Sequence, residues 1–156
     1  MRTCNLLGNV AQQAGRLAEA RAWYERCRDL ARQRGDTAML GITAQNLGIV
    51  CQLEGAAARQ RGDEASARQR FADAEPFLHE SLQMQLDRHN QPGEAMARSP
   101  LARLYLLMGD LEPAAAQAQQ AREINESLGL LRELPGDDHS LARIARARGD
   151  AAQAAD

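Results

Sequence analysis

Three cysteines are the most reactive side chains of this 156-residue sequence. Cys4, Cys27 and Cys51 are odd in number and lack the close pairing that a structural zinc site needs. A nucleophilic thiol requires a neighbouring base and a lowered pKa, and the residues around these three supply neither. We therefore expect the cysteines to be reduced and to pack as small apolar side chains on the inner faces of helices.

The histidines and carboxylates also lack the grouping that catalysis requires. His79, His89 and His139 are far apart in the sequence, and no pattern of paired His or of Glu with His suggests a metal site or an acid–base pair. The Asp and Glu residues are spread as on a solvated helical surface, and the sequence has no glycine-rich phosphate loop. The sequence thus predicts no catalytic residue, no metal site and no cofactor.

The tripeptide Arg-Gly-Asp occurs three times, beginning at Arg34, Arg61 and Arg148. It is the pattern of a cell-adhesion motif, but it also contains the two residue types that commonly end one helix and begin the next. Gly adopts the left-handed conformation that ends a helix, and an Asp side chain accepts hydrogen bonds from the first free N–H groups of the next helix. We predict that each copy is a junction between two helices.

Charge and hydropathy disfavour nucleic-acid and membrane partners. The net charge is −2, so the chain has no basic field to attract phosphate. Several arginines cluster between residues 59 and 70, but acidic residues lie nearby and no aromatic residue interleaves for base stacking. No segment approaches the ~18 consecutive apolar residues of a membrane span, and no apolar stretch follows the first five residues as in a signal peptide. We expect a cytoplasmic protein.

An internal repeat organises the chain. A leucine and a small residue, with a Gly seven residues beyond the small one, occur four times at separations of 40, 54 and 40 residues. The longer separation indicates an insertion of 14 residues in the second repeat, at about residues 56–69. The four landmarks are Leu7-Gly8 with Gly15, Leu47-Gly48 with Gly55, Leu101-Ala102 with Gly109, and Leu141-Ala142 with Gly149.

Each repeat has the pattern of two helices that pack side by side. Ala114, Ala118 and Ala121 lie on one stripe of a second helix, which lets a neighbouring helix approach closely. Aromatic residues make up only 3% of the chain, and its Ala- and Leu-rich apolar content favours an all-α fold over a β core. We predict helices near residues 2–14, 17–34, 37–60, 64–88, 93–108, 111–128 and 138–148, with a short stub from 151.

The first repeat resembles a known motif. Leu7, Gly8, Gly15, Ala20 and Tyr24 are spaced as in the tetratricopeptide repeat, and the 40-residue spacing resembles the longer repeats of kinesin light chains and of bacterial tetratricopeptide signalling proteins. The resemblance implies a right-handed α-solenoid of antiparallel helix pairs, about three and a half repeats in a single domain. The expected repeats span about residues 1–36, 37–90, 91–130 and an incomplete 135–156 within a domain of residues 1–156.

The first helix of each repeat carries the candidate binding surface. On the first helix of the chain, Asn5, Asn9 and Gln12 share one face. Leu7 and Val10 lie on the opposite face, which we predict to be core. The resemblance implies that the outward faces of these helices line a concave groove; the alternative is that a longer neighbouring helix buries the same side chains. The predicted groove residues are Asn5, Asn9, Gln12, Gln45, Asn46, Ile49, Gln52, Ser99, Arg103, Leu106, Arg143 and Arg146.

These features predict a protein- or peptide-binding scaffold, not an enzyme, within a signalling or regulatory assembly. The amides of Asn9 and Asn46 suit the backbone of an extended peptide. The alternative is a structural, self-assembling repeat unit, or a fragment of a larger multidomain regulator. Leu141, Ile144 and Ala145 form an apolar face in the last repeat that the residues after it are too few to cover, so homo-oligomerisation through this open end is also predicted.

Overall fold

The computed structural model of the protein describes residues 2–130 and 132–155, and its regular structure is α-helical throughout. No strand occurs within these two ranges, which confirms the all-α prediction. The helices are α1 (Arg2–Gln13), α2 (Leu17–Arg34), α3 (Thr37–Gln60), α4 (Glu64–Asp87), α5 (Gln91–Met108), α6 (Leu111–Ser127) and α7 (Leu134–Ala155).

The helices form two compact units, divided between Arg88 and His89. The N-terminal unit contains α1 to α4, and the C-terminal unit contains α5 to α7. Within each unit, helices that are adjacent in the chain pack against each other, so α2 lies against both α1 and α3, and α6 lies against both α5 and α7. Because short turns join them, neighbouring helices run antiparallel, as the repeat pattern predicts.

Two of the three Arg-Gly-Asp copies are helix junctions, as predicted. Gly35 and Gly62 follow α2 and α3 with left-handed φ angles of 63° and 79°. Asp36 and Asp63 then begin α3 and α4, and each carboxylate accepts a hydrogen bond of 3.0 Å from the backbone N–H three residues further on. These two glycine–aspartate pairs therefore set where the central helices of the N-terminal unit end and begin.

The third copy is not a junction, and the prediction is wrong at Gly149. Helix α7 runs unbroken over Leu134–Ala155, so neither the predicted end near residue 148 nor a separate stub from residue 151 is present. The described residues after Gly149 continue α7 and do not fold back as a second helix. Continuing α7 keeps their backbone hydrogen bonds, at a cost of about 1 kcal/mol for a glycine inside a helix.

Helices α3 and α4 form a hairpin of two 24-residue helices, and the predicted insertion at about residues 56–69 lies at its tip. Gly55 lies inside α3 and does not end it. A Cβ at this position would lie 2.5 Å from Phe71 Cε1 on α4, so glycine lets the two helices approach closely. Near the tip, the Arg59 guanidinium lies 4.9 Å from the centre of the Phe71 ring and its Nε lies 3.1 Å from Glu64 Oε1.

Tyr24 occupies the centre of the N-terminal core. Its side chain is fully buried in a cluster that includes Leu47 and Val50 of α3. The ring also fills the notch at Gly8 of α1, where a Cβ would lie 2.4 Å from Tyr24 Cε1. A single aromatic side chain of α2 thus joins the helices on either side of it.

Ion pairs tie α2 to the long hairpin. Arg21 Nη2 lies 2.5 Å from Glu54 Oε2 of α3, and Arg70 Nε of α4 lies 3.5 Å from the same carboxylate oxygen. Arg28 of α2 pairs directly with Glu80 of α4. Because the Arg21, Arg28, Glu54 and Glu80 side chains are partly buried, salt screens these pairs less than it would at an open surface.

The core of the C-terminal unit is built mainly from alanine. Ala102 of α5, Ala114 and Ala118 of α6, and Ile144 of α7 form one buried cluster, with Leu141 packed against it. Ile144 was predicted to form part of an uncovered end, but it is 2% exposed because α5 and α6 cover it. The prediction of an open apolar face is therefore wrong at Ile144, although the neighbouring Ala145 is exposed.

Candidate partner-binding surfaces

Polar side chains of α1 and α3 meet in the N-terminal unit. Asn46 Nδ2 donates a hydrogen bond of 2.9 Å to Asn5 Oδ1, so the predicted faces of the two helices adjoin. The Tyr24 hydroxyl lies 2.7 Å from Asn9 Oδ1 and 3.0 Å from Gln12 Oε1, and its single proton serves one of them at a time. Burial raises the pKa of Tyr24 to about 12, so this hydroxyl remains a donor even in moderately alkaline solution.

Several amide groups of this row have unused hydrogen-bonding capacity. Asn9 and Gln12 are half-buried, and within residues 2–130 and 132–155 their Nδ2 and Nε2 groups donate no hydrogen bond. Gln45 is also half-buried, and its side chain has no hydrogen-bonding partner in the same ranges. We call Asn5, Asn9, Gln12, Gln45 and Asn46 the amide row. The side-chain oxygens of Asn5, Asn9 and Gln12 lie within hydrogen-bonding distance of donors in the protein, while several N–H groups of the row can still bind an acceptor.

Gln52 does not belong to this surface. It was predicted to face outward with Ile49, but its side chain is fully buried, whereas Ile49 is half-buried. Helix α3 packs against both α2 and α4, whereas α1 packs mainly against α2, so a wider part of the circumference of α3 is covered. The prediction is therefore wrong for the exposure of Gln52.

The opposite face of α1 was predicted to be core and is exposed. Leu7 is 38% exposed and Val10 is 49% exposed, whereas Leu47 and Val50, which hold the same positions in the second repeat, are fully buried. Helix α2 covers α3 on that side, but none of the described helices covers the corresponding side of α1. Together with Leu6, these side chains form an exposed apolar face on α1.

In the C-terminal unit, the predicted groove residues divide into exposed arginines and partly packed side chains. Arg103 of α5 and Arg143 and Arg146 of α7 are exposed, and each lacks an acidic partner among the described residues. Ser99 is half-buried, and its hydroxyl donates to the carbonyl of Ala95 at 3.3 Å. The side chain of Leu106 packs in part against the alanine core. The arginines are thus the members of this set that are free to attract an acidic partner.

A recess of about 360 Å³ lies in the C-terminal unit between α5, the end of α6 and the start of α7. Sequence reasoning missed it, because its residues come from three separate segments. Asp137 is its most deeply buried acidic residue, at 5% exposure, and Asn125 Nδ2 donates a hydrogen bond of 2.8 Å to Asp137 Oδ2. The residues that line it are Pro92, Ala95, Met96, Ser99, Asn125, Leu130, Glu133, Gly136 and Asp137.

The three cysteines lie at buried or half-buried positions, as expected for thiols that pack as small apolar side chains. Cys27 and Cys51 are fully buried and Cys4 is half-buried. Burial raises the pKa of both the Cys27 and the Cys51 thiol, although Arg21 beside Cys51 acts in the opposite direction. Nucleophilic chemistry requires the thiolate, so these surroundings disfavour it at neutral pH.

The described residues contain neither a metal-binding group of side chains nor a membrane-spanning helix. Over residues 2–130 and 132–155, the His, Cys, Asp and Glu side chains form no group of three that could hold a metal ion. None of the helices in these ranges combines the length and the hydropathy that crossing a membrane demands.

Comparison with known proteins bears out the resemblance in the first repeats. Residues 2–65 match the tetratricopeptide repeat family. The chain is also 31% identical over 152 residues to the regulatory protein AfsR of Streptomyces griseus, a match that covers 97% of this chain. The matched region is 13% of the length of AfsR, so the chain spans only a small part of that relative.

Proposed function

We propose that this chain, whose residues 2–65 belong to the tetratricopeptide-repeat family, is a scaffold that binds a protein or peptide. The binding surfaces are the outward faces of α1 and α3 in the N-terminal unit, and of α5 and α7 in the C-terminal unit. The scaffold has no catalytic role and acts in the cytoplasm within a regulatory or signalling assembly. Support for a regulatory setting comes from the similarity to AfsR, which is named as a regulatory protein.

The amide row is the observation that carries this proposal. Amide side chains both donate and accept hydrogen bonds, which suits the alternating N–H and C=O groups of an extended peptide. The Tyr24 hydroxyl and the Asn5–Asn46 hydrogen bond hold the row in place before a partner arrives. Less side-chain freedom is then lost on binding, and this raises affinity without any additional contact.

The exposed arginines supply a second element of recognition. Arg103, Arg143 and Arg146 have no acidic partner among the described residues, so a ligand need not displace one. Exposed arginines attract acidic groups of a partner, and salt weakens that attraction. The preferred partner of these arginines carries at least one acidic residue.

Peptides selected from a random display library provide the test of this function. Their affinities are measured by calorimetry for the wild type and for Asn9→Ala, Gln45→Ala and Arg103→Ala. Each substitution removes one hydrogen-bonding group, so we expect a loss of about 1–3 kcal/mol per variant. The melting temperature of Gln45→Ala should stay nearly unchanged, because its amide bonds to no described residue.

Gln83→Ala is the matched control. Gln83 lies exposed on α4, a second helix of the same unit, where its Nε2 bonds to Asp87 at 2.7 Å. The control variant should bind the selected peptides as the wild type does. Unchanged affinity in all three groove variants would place the binding surface elsewhere on the protein.

A self-assembling repeat unit is the second candidate, and the exposed apolar face of α1 favours it. Leu6, Leu7 and Val10 leave a continuous apolar stripe on this helix. If a second copy covers the stripe, sedimentation should show a concentration-dependent dimer that Val10→Glu abolishes. A monomer at all micromolar concentrations would remove this candidate and leave the first one untouched.

A further inference from the structure

The recess at the start of α7 combines apolar walls with carboxylates. Met96 is 63% exposed, and Leu130 and Pro92 add apolar surface around it. Glu133 and Asp137 supply two acidic side chains to the same recess. Its volume of about 360 Å³ falls within the range of about 300–1,000 Å³ that is usual for ligand-binding pockets.

The position of Asp137 in the repeat makes its charge unusual. Asp137 lies four residues before the landmark Leu141, and the same position holds Thr43 in the second repeat and Ala97 in the third. Both of those residues are almost completely buried and uncharged. The fourth repeat therefore places a carboxylate where the second and third repeats have a small neutral side chain in their interior.

No cation within the described residues compensates this charge. The hydrogen bond that Asp137 accepts comes from the neutral amide of Asn125, and among the described residues neither Asp137 nor Glu133 has a basic side chain within 4.0 Å. Asp138, the next residue, is paired instead, with Arg122 Nε at 2.9 Å. Buried carboxylates are normally paired with a cation, and the start of a helix supplies only partial positive charge. The recess thus carries negative charge that favours a cationic ligand.

We propose that the recess binds a lysine or arginine side chain of the partner. Its methylene groups pack along Met96 and Leu130, and its charged end lies against Asp137 and Glu133. Long basic side chains bury their apolar stems in this way, and a flexible Met adapts to either of them. The inference rests on the proposed function, because it identifies one anchor residue of a bound peptide. A basic side chain is favoured over a metal ion, since the described residues offer no third acidic or imidazole ligand there.

Nuclear magnetic resonance titration with capped tripeptides tests the recess alone. The probes are acetyl-Gly-Lys-Gly-amide, acetyl-Gly-Arg-Gly-amide and the neutral norleucine analogue, each added to the ¹⁵N-labelled full chain. We expect a lysine or arginine probe to shift the amide signals of Ala95, Met96, Gly136 and Asp137 with a millimolar dissociation constant that salt weakens. Equal shifts with norleucine, or the absence of any shift with both basic probes, would overturn the proposal.

Two variants separate charge recognition from a structural role of Asp137. Asp137→Asn keeps an oxygen for the Asn125 amide and should weaken binding of the basic probes about tenfold, because charge-assisted hydrogen bonds are lost. Asp138→Asn removes one charge from the adjacent residue outside the recess and should leave probe binding unchanged. If Asp137 only stabilised α7, its variant would lower the melting temperature while binding the probes normally, which would contradict the proposal.

Glu133→Gln keeps the test decisive if Asp137→Asn does not fold. Glu133 is exposed, so its substitution should not disturb folding, and we expect a twofold to fivefold loss of affinity for the basic probes. Unchanged affinity in this variant would count against the recess. The amide-row variants lie in the other unit, so loss of the proposed peptide binding there and loss of probe binding here are distinguishable results.

Discussion

The N-terminal and C-terminal units use different pairs of side chains where the first helix of a repeat packs against the second. In the N-terminal unit a glycine on the first helix of a pair faces a large side chain on the second helix. Gly8 faces Tyr24, and Gly48 faces Leu78. In the C-terminal unit the corresponding residues are Ala102 and Ala118, which lie in one buried cluster. A large side chain therefore needs a glycine opposite it, whereas two alanines fit against each other, because packed interiors tolerate neither a void nor an overlap.

Removing the large side chain of the pair should have the largest effect on the free energy of unfolding. Tyr24→Ala empties the notch at Gly8, and we expect the free energy of unfolding to fall by about 3–5 kcal/mol, as for other buried aromatic side chains. Ala118→Gly in the C-terminal unit removes one methyl group and should cost about 1 kcal/mol. Urea denaturation measures both values. Similar losses in the two variants would contradict the difference between the units.

Replacing a glycine with alanine should have the second-largest effect on the free energy of unfolding. Whether the substitution stabilises or destabilises the protein depends on the space around the glycine. A Cβ at Gly48 would lie 2.5 Å from Leu78 Cδ2, so we expect Gly48→Ala to destabilise the protein by about 1–3 kcal/mol. Gly149 in α7 has no atom within 4 Å of the equivalent position, so Gly149→Ala should stabilise by about 1 kcal/mol through helix propensity. Denaturation of the Leu78→Ala background sharpens the test, because the cost of Gly48→Ala should largely disappear there.

The smallest expected effect is a pH dependence that belongs to the N-terminal unit. Burial raises the pKa of Tyr24 from 10.0 to about 12. The unfolded chain therefore loses this proton first, so the contribution of Tyr24 to stability is complete below pH 10 and is lost as the pH rises to about 12. Tyr24→Phe should reduce this fall in unfolding free energy and cost about 1 kcal/mol at neutral pH. Tyr105→Phe is the control and should retain the fall.

Local signals made most of the helix boundaries predictable. Gly35 with Asp36 and Gly62 with Asp63 act through their own backbone and side-chain hydrogen bonds, so no knowledge of the neighbouring helices is needed. The same tripeptide does not end a helix at Gly149, because α7 continues through it to Ala155. Capping residues thus permit a turn, and packing decides whether it forms.

The exposure of individual side chains was less predictable, because it depends on how many neighbours a helix has. Periodicity placed Leu7 and Leu47 in equivalent positions, yet one is exposed and the other is buried. Gln52 is buried because α3 is covered on two sides. The charge at Asp137 could have been noticed from the repeat, since Thr43 and Ala97 hold the same position, but its contact with Asn125 required the fold.

Within each unit, the packing of helices that are adjacent in the chain has a consequence for the speed of folding. Such contacts join residues that are close in sequence, so forming them requires only short loops to close. Chains with mainly local contacts fold in microseconds to milliseconds, far faster than β-sheet proteins of similar stability. In this chain the α3–α4 hairpin, with its capped turn at Gly62 and Asp63, is the most extensive local contact. We therefore expect it to form first, with α2 and then α1 adding to its side.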